Sequence, residues 1–247
     1  MARIRIGRLL PGYTGVGVGS RAPVRGTSLF ADGESVVIAK RIPGREIAIE
    51  LICSSLGREL GLPIPEPVLL ADVEKNWYFG SVDVGHPNLS QVVTASDSAI
   101  ISKLENWPGL LNAACFDEWI ANPDRCDENL LFDGLGFILI DHGMAIPQGM
   151  RADDWSDDFY NNALLDIASD NCGRAENQRT KLAVEAQKWC HSVQNYDTAY
   201  DESHLPDLIR EEHKQQICKF LRMRVTALGD VLYRKLNPVQ GALNLND

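Results

Sequence analysis

Two carboxylates and an amide stand at a chemically meaningful spacing between Phe116 and Pro147, in FDEWIANPDRCDENLLFDGLGFILIDHGMAIP. Asp124 and Asn129 lie five positions apart in D-R-C-D-E-N, and Asp141 follows in I-L-I-D-H-G. Phosphoryl transfer of the protein-kinase type needs three such groups. One Asp accepts the proton of the attacking hydroxyl, and an Asn shortly after it holds a metal ion. A second Asp, on a D-x-G turn, holds the metals that bridge the nucleotide phosphates. Asp124, Asn129 and Asp141 fit those roles in order. Either piece alone is a weak motif, because an Asp before a Gly usually marks only a turn.

Elements must bring these groups together. Leu130-Leu131-Phe132 reads as a short strand, Gly134-Leu135-Gly136 as a turn and Phe137–Ile140 as a second strand. That hairpin places Asn129 and Asp141 at one end, within reach of one metal. A helix from about Leu110 ends at Asn122-Pro123, since the residue before proline avoids the helical region. Asp117 on that helix is a candidate brace for the loop. Arg125 is a candidate partner for a carboxylate or a phosphate. Cys126 sits inside the loop as a candidate reactive thiol.

The first part of the chain offers the complementary cation. Asp32-Gly33 signals a hairpin turn, and the second run ends V-V-I-A-K, with Val36, Ile38 and Lys40 on one face. A strand that presents Lys toward nucleotide phosphates has this form. The segment 44–61 has helical spacing and stops at Gly61 and Pro63. Its Glu46 and Glu50 share a face, and either can hold Lys40 as an ion pair. Val68–Leu70 and Trp77–Phe79 read as further strands. Phe79-Gly80-Ser81-Val82 then reads either as an ordinary edge strand or as a link between lobes, which in kinase-like folds holds adenine through its backbone and would make Phe79 and Ser81 contacts. The glycines of P-G-Y-T-G-V-G-V-G-S lie in a G-x-G-x-G pattern that lets backbone N–H groups approach phosphates.

N-P-D-R-C-D-E-N-L-L followed by I-D-H-G-M-A-I-P resembles the catalytic and metal-binding segments of the HipA-like kinases. It is also similar to type II phosphatidylinositol 4-kinases, which share that compact fold. In these families N-x-D-R-x-x-x-N replaces the usual H-R-D-x-x-x-x-N, and His142 stands where D-F-G has Phe. The stretch from Glu50 to Pro67 resembles its counterpart in the family, so Glu50 is preferred over Glu46. Gly19-Ser20-Arg21-Ala22-Pro23 resembles the family's G-S-x-x-P loop, which assigns phosphate contact to Gly19 and Ser20. The resemblance implies two-lobed enzymes that use ATP and Mg²⁺ to phosphorylate protein serine.

Composition is compatible with this. The 247 residues are 45% hydrophobic and 23% charged, ordinary globular material. No apolar run approaches ~20 residues, so no membrane span is expected, and the basic start lacks the apolar core of a signal peptide. A net charge of -10 argues against nucleic acid and anionic membrane as partners. The six scattered cysteines read as reduced thiols of a cytoplasmic protein. After Pro147 the chain is acidic and helical, and the periodic run 208–236 reads as packing.

The expectation is an α+β, two-lobed kinase-like fold. A small antiparallel-sheet lobe with one helix spans 1–80, and a mainly helical lobe spans 81–247. The expected activity is transfer of the γ-phosphoryl group of ATP, with Mg²⁺, to a protein serine or threonine. The protein substrate is unidentified, and a regulatory protein partner is compatible with the reading. Two rivals stay open: a non-catalytic nucleotide- or protein-binding module, and a small-molecule or phosphoinositide kinase.

Overall fold

The computed structural model describes residues 4–17, 21–93, 98–172, 176–194 and 206–237. Gly19 and Ser20 lie outside the described residues.

Alternation along one strand sets the architecture. In β4 (Gly33–Lys40), Val37 and Ala39 are fully buried, while Ile38 and Lys40 on the other face are only partly so. The strand therefore separates a packed interior from an open cleft. It pairs antiparallel with β3 (Val24–Phe30) through the tight turn at Ala31-Asp32, and with β6 (Trp77–Val82) on its other side. With β1 (Arg5–Leu9), β2 (Thr14–Gly15) and β5 (Pro67–Ala71), the sheet runs β1-β5-β6-β4-β3-β2.

The sequence predicts an antiparallel sheet, but the sheet is mixed. β1 runs parallel to β5, with Arg5 opposite Val68. The end of β1 also pairs with β3, Leu9 opposite Ser28, so the sheet rolls back on itself. Its inner face buries Leu9, Phe30, Val37, Ala39, Val68, Leu70 and Tyr78. This interior is full. A methyl group on Gly80 would lie 2.6 Å from Leu70 Cδ1 and 2.9 Å from Val68 Cγ2. Gly80→Ala is expected to cost about 1–3 kcal/mol by overpacking, read from the urea midpoint. An unchanged midpoint would show that the interior yields.

Helix α1 (Gly44–Glu59) packs on the outer face of β5 and β6 and joins the larger core. Next come α2 (Leu89–Val92), α3 (Ser98–Glu105) and α4 (Leu110–Trp119). Asn88 caps α2 with a capping box. The hairpin of β7 (Leu130–Phe132) and β8 (Phe137–Leu139) forms as expected, Leu130 opposite Leu139. Three further helices are α5 (Ala163–Asn171), α6 (Glu176–Val193) and α7 (Glu211–Leu236).

In the helical half, α7 packs on α6 and on α4. Buried within it is the fully enclosed carboxylate of Glu118 on α4. Ser156 Oγ donates to Glu118 Oε1 at 2.5 Å, and Asn162 Nδ2 donates to Oε2 at 3.2 Å. From α7, Arg224 reaches Oε1 at 3.2 Å and Lys235 reaches Oε2 at 3.3 Å. Arg224 also donates to the carbonyls of Ala152 and Asp154. The periodic C-terminal helix is packing, as expected, but it also carries the buried Arg224 and the largely buried Lys235 side chain to Glu118. Among the described residues, no helix is long and apolar enough to cross a membrane.

Candidate active site

The loop after α4 is shaped by its own side chains. Backbone N–H of Asp124 donates to Asn122 Oδ1 at 3.2 Å, and Asn122 Nδ2 donates to Asp117 at 3.1 Å. A short 3₁₀ turn, Asp127–Asn129, then leads into β7. Asn129 Nδ2 donates to the Asp124 carbonyl at 2.6 Å and lies 3.3 Å from Asp124 Oδ2. With its N–H₂ engaged there, the amide has Oδ1 left as a ligating oxygen.

Asp141 sits just past β8 with φ at +59°, in the left-handed region. Non-glycine residues held there concentrate at functional sites. Its Oδ2 lies 2.5 Å from Lys40 Nζ. Lys40 is also 3.8 Å from Glu50 Oε1. Glu50 is fully buried, and its other oxygen accepts the backbone N–H of His142 at 2.9 Å. Among the described residues, Oε1 has no hydrogen-bond partner. A buried carboxylate oxygen left open in this way is poised to receive Lys40 more closely.

Glu46, the alternative on the same helix, instead pairs with Arg21 at 3.1 Å. Helical spacing puts both residues on one face, and the docking of α1 decides between them. His142 is buried, with its Nδ1 3.3 Å from Ser54 Oγ and its ring edge-on to Phe116. Burial, with the Arg125 charge nearby, pushes the imidazole down to about 3, so it is neutral at physiological pH. In the sequence His142 is only a departure from the D-F-G pattern. Nothing local signalled its contact with Glu50, which lies across the cleft floor.

Arg125, left open in sequence as a partner for carboxylate or phosphate, takes the carboxylate. It forms a bidentate pair with Asp117, Nε to Oδ2 at 2.8 Å and Nη2 to Oδ1 at 3.0 Å. Burial works against its charge, and Asp117 more than restores it. Cys126 is exposed, but partial desolvation raises its thiol above the ordinary value, which argues against a ready thiolate. Among the described residues, no cysteine forms a disulfide.

These elements enclose a cleft of about 270 Å³. Lys40, Glu50, Phe79, Ser81, Asp124, Asn129 and Asp141 all line it. Apolar groups, among them Val16, Ile38, Leu131 and Leu139, make up much of the remaining wall. The wall is thus divided between apolar groups and many polar and charged ones, a concave lining with polar groups converging on it. Phe79 and Ser81 differ from expectation in one respect. They belong to β6, paired with β4 on one side and β5 on the other, so they form no free link. The non-repetitive connection begins at Asp83.

A family model for HipA-like kinases matches residues 30–204. The chain belongs to the HipA-like kinase family. The match contains Lys40, Glu50, Asp124, Asn129 and Asp141. This HipA-like chain is similar in fold to the crystal structure of a Helicobacter pylori proinflammatory kinase, CtkA. The TM-score is 0.57 at 14% identity, over 93% of this chain and 96% of that one. The N-terminal 618-residue fragment of LepB from Legionella pneumophila aligns more weakly. Its TM-score is 0.45 at 15% identity, over 83% of this chain and 45% of that one. No curated protein matches the sequence.

The donor set of this HipA-like kinase suits a hard divalent cation. Asn129 Oδ1 and the Asp141 carboxylate offer oxygens, the ligand type of Mg²⁺, which keeps several waters and shares its remaining positions with phosphates. Among the described residues, no three His, Cys, Asp or Glu side chains gather as an all-protein metal cage.

Proposed function

We propose that this HipA-like kinase transfers the γ-phosphoryl group of ATP, with Mg²⁺, to a serine or threonine hydroxyl of a protein. The supporting observation is the convergence of Lys40, Asp124, Asn129 and Asp141 on one cleft. We read the molecule as two lobes, expected as 1–80 and 81–247 but dividing after the end of β6 at Val82, with the cleft between them. Mg²⁺–ATP, when bound, supplies the phosphoryl group and neutralises much of its charge.

Each residue then has a defined task. Lys40 Nζ offers a positive charge to the phosphates and is braced by Glu50. Glu50 at the same time holds the Asp141 loop through the His142 N–H. Asn129 Oδ1 and the Asp141 carboxylate hold the metal. The Asp124 carboxylate, exposed at the cleft mouth, accepts the proton of the acceptor hydroxyl. Lys40 Nζ lies 2.5 Å from Asp141 Oδ2, so the residue that would hold phosphate and the residue that would hold metal stand side by side. Gly19 and Ser20 are assigned to phosphate contact by the family's loop pattern alone.

Incubation of the purified protein with ATP and Mg²⁺, followed by mass spectrometry of the protein and of added lysate proteins, tests the proposal. Phosphate on Ser or Thr is the expected result. Nucleotide binding without any transfer would favour a non-catalytic module, and transfer to inositol lipids or sugars alone would move the acceptor class. Lys40→Met is expected to lower kcat about 100-fold, the scale of losing one preorganised charge aimed at the transition state. A kcat within twofold of wild type would remove Lys40 from the site.

A further inference from the structure

We infer that Arg125, clamped by Asp117, is a positioning residue that sets the distance between the two metal-holding loops. This rests on the metal roles proposed for Asn129 and Asp141. The two residues lie in different segments, one closing a 3₁₀ turn and the other following β8 in a left-handed conformation. Between them the hairpin ladder supplies a last rung, Ile140 N–H to the Asn129 carbonyl at 3.2 Å. Arg125 supplies more. Its Nη1 donates to the carbonyl of Asn129 and to the carbonyl of Ile140, both at 2.7 Å. One nitrogen thus fastens the backbone of one candidate ligand to the residue directly before the other.

The guanidinium is itself immobile. Its side chain is about 1% exposed, and Asp117 opposite it is fully buried. Four of its five N–H groups are committed, two to Asp117 and two to the carbonyls. Asp117 is also held by Asn122, whose Oδ1 fixes the Asp124 backbone. The same anchor therefore reaches all three residues of the expected triad. Arginine is required by this geometry. Lysine carries a point charge with three donors and no planar fork, so it cannot satisfy a bidentate carboxylate and two carbonyls together.

The consequence falls on the metal. Mg²⁺ demands near-octahedral oxygen geometry at about 2.0–2.1 Å, so a small slip between the loops is felt at the ion. Nucleotide contacts on β4 and β6 do not pass through Arg125. Loss of the clamp should weaken metal binding and leave metal-free nucleotide binding in place.

The test uses the full chain with Mn²⁺ in place of Mg²⁺, titrated by electron paramagnetic resonance in the presence of a non-hydrolysable ATP analogue. The analogue's affinity without metal is measured in parallel. Arg125→Lys is expected to raise the Mn²⁺ dissociation constant about 10- to 100-fold, the usual effect of removing a residue that orients metal ligands. Metal-free analogue affinity should stay within about twofold, a split that general loss of structure would not produce. Should Arg125→Lys fail to fold, the same titration on Asp117→Asn decides, with a smaller loss in the same direction expected. A folded variant that binds Mn²⁺ like wild type, or that loses metal and nucleotide equally, overturns the inference. If wild type transfers phosphate while the variant's Mn²⁺ binding is unchanged, only the clamp falls. If wild type binds no Mn²⁺ with the analogue and transfers nothing, the proposed activity falls as well.

Discussion

Asp124→Asn is expected to lower the phosphotransfer rate by roughly 10²–10⁴-fold, the range for losing a positioned general base. The substitution is nearly isosteric. The loop is held by the Asn122 side chain on the Asp124 N–H and by Asn129 on the Asp124 carbonyl, and neither bond uses the Asp124 carboxylate as its main acceptor. The fold and ATP binding should survive, so the loss would appear in kcat and not in nucleotide affinity. That pattern matters because a non-catalytic module would also keep its fold and its nucleotide. Single-turnover transfer from labelled ATP reads the effect. A variant as fast as wild type would remove Asp124 from the chemistry, whatever the fate of the other residues. The exposure of Asp124 at the mouth, against the near-burial of Lys40, fits a group that meets an incoming hydroxyl instead of a bound phosphate.

Local sequence carried much of this site because local rules position it. The alternation of Val36–Lys40 placed Lys40 on the cleft face, and the observed burial of Val37 and Ala39 follows the same period. The Gly134–Gly136 turn fixed a hairpin register that sets Asn129 opposite Ile140. Helix ends were less legible. The helix expected to run to Asn122 stops at Trp119, because Ala121 turns to φ +49° and redirects the chain into the loop.

What sequence could not supply are the choices made by tertiary contact. Glu46 and Glu50 have the same helical phase, and only the docking of α1 against the Asp141 loop buries one and leaves the other near Arg21. Arg125 suits a carboxylate and a phosphate equally by chemistry, and only the fold sets Asp117 against it. The parallel pairing of β1 with β5 joins strands some 60 residues apart and has no local signature.

The largest expected effect on stability lies away from the cleft. Glu118→Ala should destabilise the protein by about 3–5 kcal/mol, the range for removing one partner of a buried ion pair. In a chain of this size that corresponds to a fall in melting temperature of about 6–20 °C. The reason is what remains. Arg224 is 2% exposed and would keep its charge with no carboxylate, held by backbone carbonyls and the Phe220 ring, while Lys235 would retain Asp157 at 2.7 Å. The surface pair of Arg151 and Asp154, with the arginine 75% exposed, gives the contrast. Its removal should cost no more than about 1 kcal/mol.

Differential scanning calorimetry of both variants separates burial from mere charge pairing, and equal losses would sink the argument. A double replacement, Glu118→Leu with Arg224→Met, should recover much of the loss, because well-packed apolar groups can replace a buried pair at little cost. If it does, the pair serves placement more than stability. Arg224 holds the carbonyls of Ala152 and Asp154, so the stable double variant should lose order in residues 151–158, visible as faster amide exchange there.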